Sequence, residues 1–199
     1  DSSSARAQFE VVLRQRRQTL TDLSPELISS LVNLAATSTK LELYAEAQAL
    51  LSEALASRYC RSEPLGFYSL YARNNLVEVG ILQGNYASAR AAAEELVAYA
   101  EVQGDTAGEM YAAFRRNLGI IQHRLGESAA ALRSLELCSP WYFEPSRYGT
   151  QDSHDLLELL HEAARSAGDQ DRETEYGSRL ETWPDLPAKD SAGDTSNGR

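Results

Sequence analysis

The sequence predicts an all-α protein, and its composition and an internal repeat carry that prediction. Ala and Leu supply most of the apolar residues of the 199-residue chain, and both are strong helix formers, as are Glu and Arg. Gly and Pro, which disfavour helices, are few, with 12 Gly and 6 Pro. An Asn-Leu dipeptide recurs every 42 residues. This period predicts that the helices form repeated pairs, as in a solenoid.

Several other positions share the 42-residue step. Tyr44 is matched by Tyr86, and a glycine that ends a helix is matched twice further along the chain, with Glu42 in its place in the first unit. The columns consist of Asn33, Asn75 and Asn117; Ala47, Ala89 and Ala131; and Gly84, Gly126 and Gly168. Agreement at so many columns indicates an array of structural repeats.

Each unit is predicted to consist of two antiparallel helices, called A and B here. Ser24 before Pro25 is a typical start of a helix, and glycine at the end of helix A suits a left-handed cap. The predicted A helices cover residues 25–40, 66–83, 110–125 and 153–167. The predicted B helices cover residues 44–58, 86–101, 128–138 and 171–181.

The array is predicted to fill residues 1–183. Its units are a partial repeat at 2–20 with only a B helix, repeats at about 25–60, 66–102 and 110–139, and a degenerate capping repeat at 153–182. The start at Asp1 suggests a processed or excised chain, and the missing first A helix predicts self-association through an open N-terminal end. Residues 184–199, rich in Gly, Ser and Asp, are predicted to be a disordered tail or a linker.

The start of the B helix carries a family resemblance. Gly84-x-Tyr86-x-x-Ala89, followed by Glu94-Glu95-Leu96, resembles a tetratricopeptide repeat (TPR), whose usual period is about 34 residues. The longer step, with Asn-Leu in helix A, is similar to the kinesin light chain variant, which also occurs widely in bacterial regulatory proteins. HEAT repeats have a similar period but lack this start of helix B. The resemblance implies a right-handed superhelix of antiparallel helix pairs, a TPR-like α-solenoid.

The resemblance also implies a concave groove, lined by the A helices, that binds a peptide or protein segment. An Asn amide offers a donor and an acceptor to a peptide backbone, so the Asn column predicts a ladder of contacts with the ligand. The alternative is that each Asn bonds a neighbouring helix and sets the register of the repeats. The implied groove residues are Asn33, Tyr71, Asn74, Asn75, Glu78, Arg116, Asn117, Ile120, Asp155, Glu158 and Glu162.

A second candidate surface lies between the third and fourth units. The stretch from Cys138 to Gly149 is predicted to be a long loop that concentrates four aromatic residues. These residues either cover the last core layer as a lid or form a contact patch for a partner. They are Trp141, Tyr142, Phe143 and Tyr148.

Composition argues against several other functions. A net charge of −10 disfavours nucleic-acid binding, and no apolar run is long enough to cross a membrane. Cys60 and Cys138 fall two units apart in the stack, which predicts no disulfide. His154, Glu158 and His161 lie on one helix face and could bind a metal, but a solvated face of a capping helix is the favoured interpretation. The sequence therefore predicts no metal, no cofactor and no catalytic residue.

The sequence therefore predicts a non-enzymatic protein–protein interaction module. Its partner is expected to be a peptide or protein segment of basic or mixed charge, bound in the cytoplasm. One alternative is an internal regulatory or oligomerisation segment of a larger signalling or transcription-regulating protein. A metal-dependent enzyme, which depends on the histidine face alone, is the third reading.

Overall fold

The computed structural model describes residues 2–64 and 66–183, with side chains from residue 4 onward, and these residues form ten α-helices and no strand. This confirms the all-α prediction, while the predicted tail at 184–199 lies outside the described residues. In chain order the helices are α1 (Ser2–Thr19), α2 (Pro25–Lys40), α3 (Tyr44–Ala56), α4 (Arg58–Ser62), α5 (Phe67–Leu82), α6 (Tyr86–Gln103), α7 (Glu109–Arg124), α8 (Ser128–Tyr142), α9 (Gln151–Ala167) and α10 (Gln170–Glu181).

The helices alternate between two layers. The A layer consists of α2, α5, α7 and α9, and each of them packs between the B helix before it and the B helix after it. The B layer consists of α1, α3, α6, α8 and α10. Neighbouring A helices contact one another, whereas neighbouring B helices make hardly any backbone contact in the described part of the chain. The stack therefore curves with the A helices on the inside, and their free faces line a groove.

Local sequence signals explain where the A helices end. Glu42 has a φ of +61°, and Gly84, Gly126 and Gly168 have φ values of +76°, +81° and +73°. A left-handed residue at this point turns the chain into the next helix. Small residues then allow helices A and B to approach closely, since Ala47 and Ala131 are fully buried.

The core consists of three apolar clusters that follow one another along the stack. Ile28 and Leu51 are fully buried in the first cluster, Phe114 and Ile121 in the second, and Leu156 in the third. Cys60 belongs to the first cluster and Cys138 to the third, and both are free thiols. Burial raises the pKa of Cys138 to about 12, so its thiol stays protonated.

Most helix boundaries differ from the sequence prediction by one or two residues, and the largest differences are at two places. Helix α8 continues through Pro140 to Tyr142, where a loop had been predicted from Cys138 onward. Pro140 lies in the last turn and removes one backbone hydrogen bond, while Trp141 and Tyr142 gain contacts with the third core cluster. The short helix α4 was not predicted, and the Ser57 hydroxyl caps it by accepting from the Cys60 N–H.

Helix α1 occupies the position of a B helix before α2. Leu13 is buried against the first core cluster, and Val11 on the other side is 50% exposed. Self-association through this end stays a prediction. In the described ranges, no helix combines the length and the apolar character that a membrane span requires.

Candidate binding groove

The three asparagines of the repeat column have different environments. Asn33 is exposed on α2. Asn75 on α5 is 7% exposed and makes no hydrogen bond with a described residue. Its amide is not among the fully sealed polar atoms, so it keeps some access to solvent. Asn117 on α7 is 6% exposed, and its Nδ2 donates to Oδ1 of Asn74 at 3.0 Å.

The Asn74–Asn117 hydrogen bond joins two neighbouring A helices. Asn74 and Asn117 lie 43 positions apart and are both buried. This bond is of the kind that the register interpretation predicts, and it applies to one column position only. The remaining half of each amide, Nδ2 of Asn74 and Oδ1 of Asn117, makes no further hydrogen bond with a described residue. Register and ligand binding are therefore compatible at this pair.

A small cavity lies between the first turns of α5 and α7. The rings of Phe67 and Tyr71 stack with their centroids 5.9 Å apart and their planes 8° from parallel. Both rings are open to solvent, with Phe67 62% exposed and Tyr71 39% exposed. The cavity has a volume of about 210 Å³ and is lined by Phe67, Tyr71, Asn74, Glu109, Met110 and Ala113.

Two charged residues face the middle of the groove. Burial among the groove walls raises the pKa of Glu78, although its side chain reaches solvent, and Arg116 and Lys40 oppose the rise. The guanidinium of Arg116 makes no hydrogen bond or ion pair with a described residue, and its Nε is completely sealed. Ile120, one turn further along α7, is partly buried.

The far end of the groove is acidic. Asp155, Glu158 and Glu162 are spaced along one side of α9. Glu162 lies 3.6 Å from Nε2 of His123 on α7, and Glu158 lies 3.8 Å from Nδ1 of His154. Asp155 accepts a hydrogen bond from Gln151 at 2.6 Å. All three carboxylates belong to partly or fully exposed residues, and together they give this end a negative potential.

Neither a protein-family model nor a curated protein matches the sequence. Solved structures do match. A Podosopora anserina protein described as a kinesin light chain with nearly identical TPR-like repeats superposes with a TM-score of 0.69 at 18% identity, covering 91% of this chain and 85% of that one. A second structure of that protein gives a TM-score of 0.67, covering 91% and 86%. BtubC (BKLC) from P. vanneervenii gives a TM-score of 0.73 at 16% identity, covering 92% and 72%.

The chain has the fold of a TPR-like repeat array, similar to these kinesin light chain structures. The superpositions extend over more than nine tenths of this chain. At this level of identity they show the fold alone.

The aromatic residues of the predicted loop pack onto the last layer of the TPR-like array. Trp141, Tyr142 and Phe143 are partly buried against the third core cluster. The guanidinium of Arg147 lies 3.5 Å from the ring centroid of Trp141, and Tyr148 contacts Trp183 with centroids 4.6 Å apart. These contacts are those of a lid. A contact patch for a partner stays a prediction for Tyr148, which is 43% exposed.

The predicted histidine face does not assemble in the TPR-like array. His154 and Glu158 approach each other, but His161 lies beside Arg165 and Gly177. Asp155 takes its place, since donor atoms of His154, Asp155 and Glu158 all lie within 4.8 Å of one another. His154 also contacts the ring of Trp183, and Asp155 accepts a hydrogen bond from Gln151. Contacts with neighbouring side chains therefore account for the positions of His154 and Asp155.

Sequence reasoning missed two residues of the groove. Phe67 and Glu109 are the first residues of α5 and α7, and the family pattern places the ligand contacts further along each helix. Their equivalence was visible in the sequence, because they stand 42 residues apart, but only the packing of α5 against α7 shows that they share a cavity.

Proposed function

We propose that this chain binds an extended segment of another protein in the groove lined by its A helices. TPR-like folds support protein–protein interaction in general, and they are typically scaffolds without catalysis. The observation that carries the proposal is the amide of Asn75. It is nearly buried, keeps some access to solvent and has no hydrogen-bond partner among the described residues, which supports a role in binding a ligand.

A backbone peptide group would satisfy this amide. The amide offers two N–H donors and a carbonyl acceptor, which match the C=O and N–H of an extended chain. Asn33 presents the same chemistry one repeat earlier, and the free half of the Asn74–Asn117 pair presents it one repeat later. The spacing of these groups along the stack supports a segment that runs across the A helices.

The charges of the groove favour a basic or mixed-charge segment. Glu78 lies in the middle, and the far end carries Asp155, Glu158 and Glu162. Arg116 is the one basic residue among the predicted groove residues, and it would bind one acidic group within an otherwise basic ligand. The net charge of −10 adds a general attraction for basic partners.

Capture with the intact chain, followed by tiling of the captured protein as overlapping peptides, tests the proposal. We expect Asn75→Ala to weaken binding of the best peptide by about 1–3 kcal/mol, because a buried backbone group loses its partner. The thermal midpoint of the free protein should change little. Gln48→Ala, which removes an exposed amide on the B helix α3, is the matched control and should leave affinity unchanged.

Two results would contradict the proposal. One is a peptide that binds with full affinity to Asn75→Ala and to a variant lacking the other groove amides. The other is a large loss of stability in Asn75→Ala with unaltered affinity of the folded protein, which would make Asn75 a scaffold residue.

A further inference from the structure

The cavity between α5 and α7 has the chemistry of a receptor for one cationic side chain. Its walls combine two open aromatic faces, Phe67 and Tyr71, with the carboxylate of Glu109. The negative face of an aromatic ring attracts a cation, and arginine stacks on such faces more often than lysine does. No basic residue is among the six residues that line the cavity.

Glu109 is available to a ligand. It is exposed, and it forms no ion pair or hydrogen bond through its side chain with a described residue. Glu162, further along the groove, is by contrast engaged with His123. As the first residue of α7, Glu109 also lies where the helix dipole favours an ionised carboxylate.

A second carboxylate lies at the same end of the groove. Burial raises the pKa of Tyr142 to about 12, Arg116 opposes the rise, and the charges of Asp152 and Glu109 add to it. Both carboxylates are therefore close enough to Tyr142 to act on its phenol. Asp152, in the first turn of α9, is exposed and has no ion pair with a described residue, so it adds negative charge near the start of α7 without lining the cavity.

Size and shape narrow the choice of ligand. A volume of about 210 Å³ accommodates one long side chain and not a pair. The two rings lie 8° from parallel and stack on each other, so a planar group can extend the stack on an outer ring face. A planar guanidinium can stack on this surface and donate two hydrogen bonds to a carboxylate at its edge, which an ammonium group cannot do.

We infer that the cavity lined by Phe67, Tyr71 and Glu109 binds an arginine side chain of the partner segment. This inference rests on the proposed function, since it assigns one subsite of the same groove. It adds residue-level specificity to the proposed groove. The asparagine amides bind the backbone of the segment, the groove charges favour a basic segment, and the cavity selects arginine at one position.

A titration with single-residue probes tests the subsite without knowledge of the partner. The intact ¹⁵N-labelled chain is titrated with N-acetyl-arginine-N-methylamide, and backbone amide shifts are followed. The matched neutral probe is N-acetyl-citrulline-N-methylamide, which has nearly the same shape and no charge. We expect saturable shifts at Asn74 and Ala113 with the arginine probe and an affinity about tenfold weaker with citrulline.

Two variants locate the effect. Glu109→Gln should weaken the arginine probe about tenfold and leave citrulline unchanged, because it removes the charge and keeps the shape. Glu181→Gln is the matched control, since Glu181 is an exposed glutamate on α10 without an ion pair to a described residue. Phe67→Ala should weaken both probes, because it removes the stacking face, and its exposed position leaves the fold intact.

The inference is overturned if arginine and citrulline bind equally, if N-acetyl-leucine-N-methylamide binds more tightly than either, or if the arginine probe produces no shift around the cavity up to its solubility limit. A displayed library of random peptides, selected on the intact chain, separates this failure from that of the proposed function. Selected peptides that depend on Asn75 but show no preference for arginine refute the subsite alone. Selection of no peptide, with the arginine probe bound in the cavity, refutes the proposed function instead.

Discussion

Glu42 adopts a backbone conformation that glycine adopts at the equivalent position of the later repeats. Its φ of +61° places it in the left-handed region, at the column that holds Gly84, Gly126 and Gly168 in later units. A residue with a Cβ pays roughly 1–2 kcal/mol there, whereas glycine costs only about 0.5–1 kcal/mol of additional chain entropy on folding. The Glu42 side chain is exposed and makes no ion pair with a described residue that would offset the strain.

We therefore expect Glu42→Gly to stabilise the fold by about 0.5–1 kcal/mol. Thermal unfolding followed by circular dichroism would show this as a midpoint raised by about 1–4 °C. Gly84→Ala is the matched reverse substitution and should lower the midpoint. A lower midpoint for Glu42→Gly would mean that the left-handed turn carries no strain.

The asparagine column also predicts unequal effects on stability. In Asn117→Ala, Asn74 loses the donor that its buried Oδ1 accepts from, which should cost about 1–3 kcal/mol of folding free energy. Asn33 is exposed and has no side-chain partner among the described residues, so Asn33→Ala should stay within about 0.5 kcal/mol of the parent. Urea denaturation of both variants measures the difference.

A double-mutant cycle checks the cause of that difference. If the Asn74–Asn117 bond is responsible, Asn74→Ala and Asn117→Ala together should cost less than the sum of the two single substitutions. Additive costs would show that the two amides act independently and would leave the register of α5 and α7 to apolar packing.

At the scale of helices, the tightest glycine contact in the described array is between α7 and α8. A Cβ built on Gly119 would lie 2.7 Å from both Cγ and Cδ2 of Leu135, a fully buried side chain. Such a contact forces α7 and α8 apart or drives Leu135 out of its rotamer. Gly119 thus serves packing, since it lies within a helix and its backbone needs no special conformation.

We expect Gly119→Ala to destabilise the protein by about 1–2 kcal/mol, because a clash of about 1–3 kcal/mol outweighs the roughly 1 kcal/mol gained in helix propensity. Gly80→Ala is the milder comparison, since the nearest atom to its Cβ would be Cβ of Ala89 at 3.2 Å. Chemical denaturation of both variants measures their free energies of unfolding. A stability of Gly119→Ala equal to or above that of the parent protein would show that α8 can shift to make room for the added methyl group.

Across the whole molecule, arginine–glutamate pairs bridge neighbouring B helices. Arg6–Glu46 and Arg17–Glu53 join α1 to α3 at 3.0 Å and 2.6 Å. Arg90 of α6 reaches Glu127, the residue before α8, at 2.6 Å, and Arg172 joins α10 to Glu136 of α8 at 2.5 Å. Since the backbones of these helices are separated, the pairs are their main polar links.

The joint between α3 and α6 has no such pair among the described residues. Gln48 and Ser88 stand there at the positions that correspond, 42 residues later, to Arg6 and Glu46. Both are exposed, and the crevice between the two helices is lined by apolar groups, including Leu76 and Ala92. The contacts of α5 with both helices therefore hold this joint together.

An arginine–glutamate pair introduced between α3 and α6 tests whether such a pair can link these two helices. We expect Gln48→Arg with Ser88→Glu to add a coupling of about 0.2–1 kcal/mol to the free energy of unfolding, and this gain should shrink at high ionic strength. The two single variants complete a double-mutant cycle and serve as controls. Zero coupling at low salt would indicate that the helices lie too far apart to be bridged.

The sequence determined the repeat, the helix pairs and the fold type, because these depend on signals that are local or periodic. The 42-residue step, the small residues of the B helices and the left-handed cap at Glu42, Gly84, Gly126 and Gly168 all act within one unit or between a unit and its copy. Such features can be predicted from the sequence because the same interactions recur in every repeat.

The tertiary structure alone decided what depends on contacts between units. It separated three equivalent asparagines into an exposed, an unpaired and a bonded one, since each meets a different neighbour across the stack. It carried α8 past Pro140, because burial of Trp141 and Tyr142 outweighs one lost hydrogen bond. It also brought Phe67 and Glu109 to one cavity, since the curvature of the array closes the A helices towards each other.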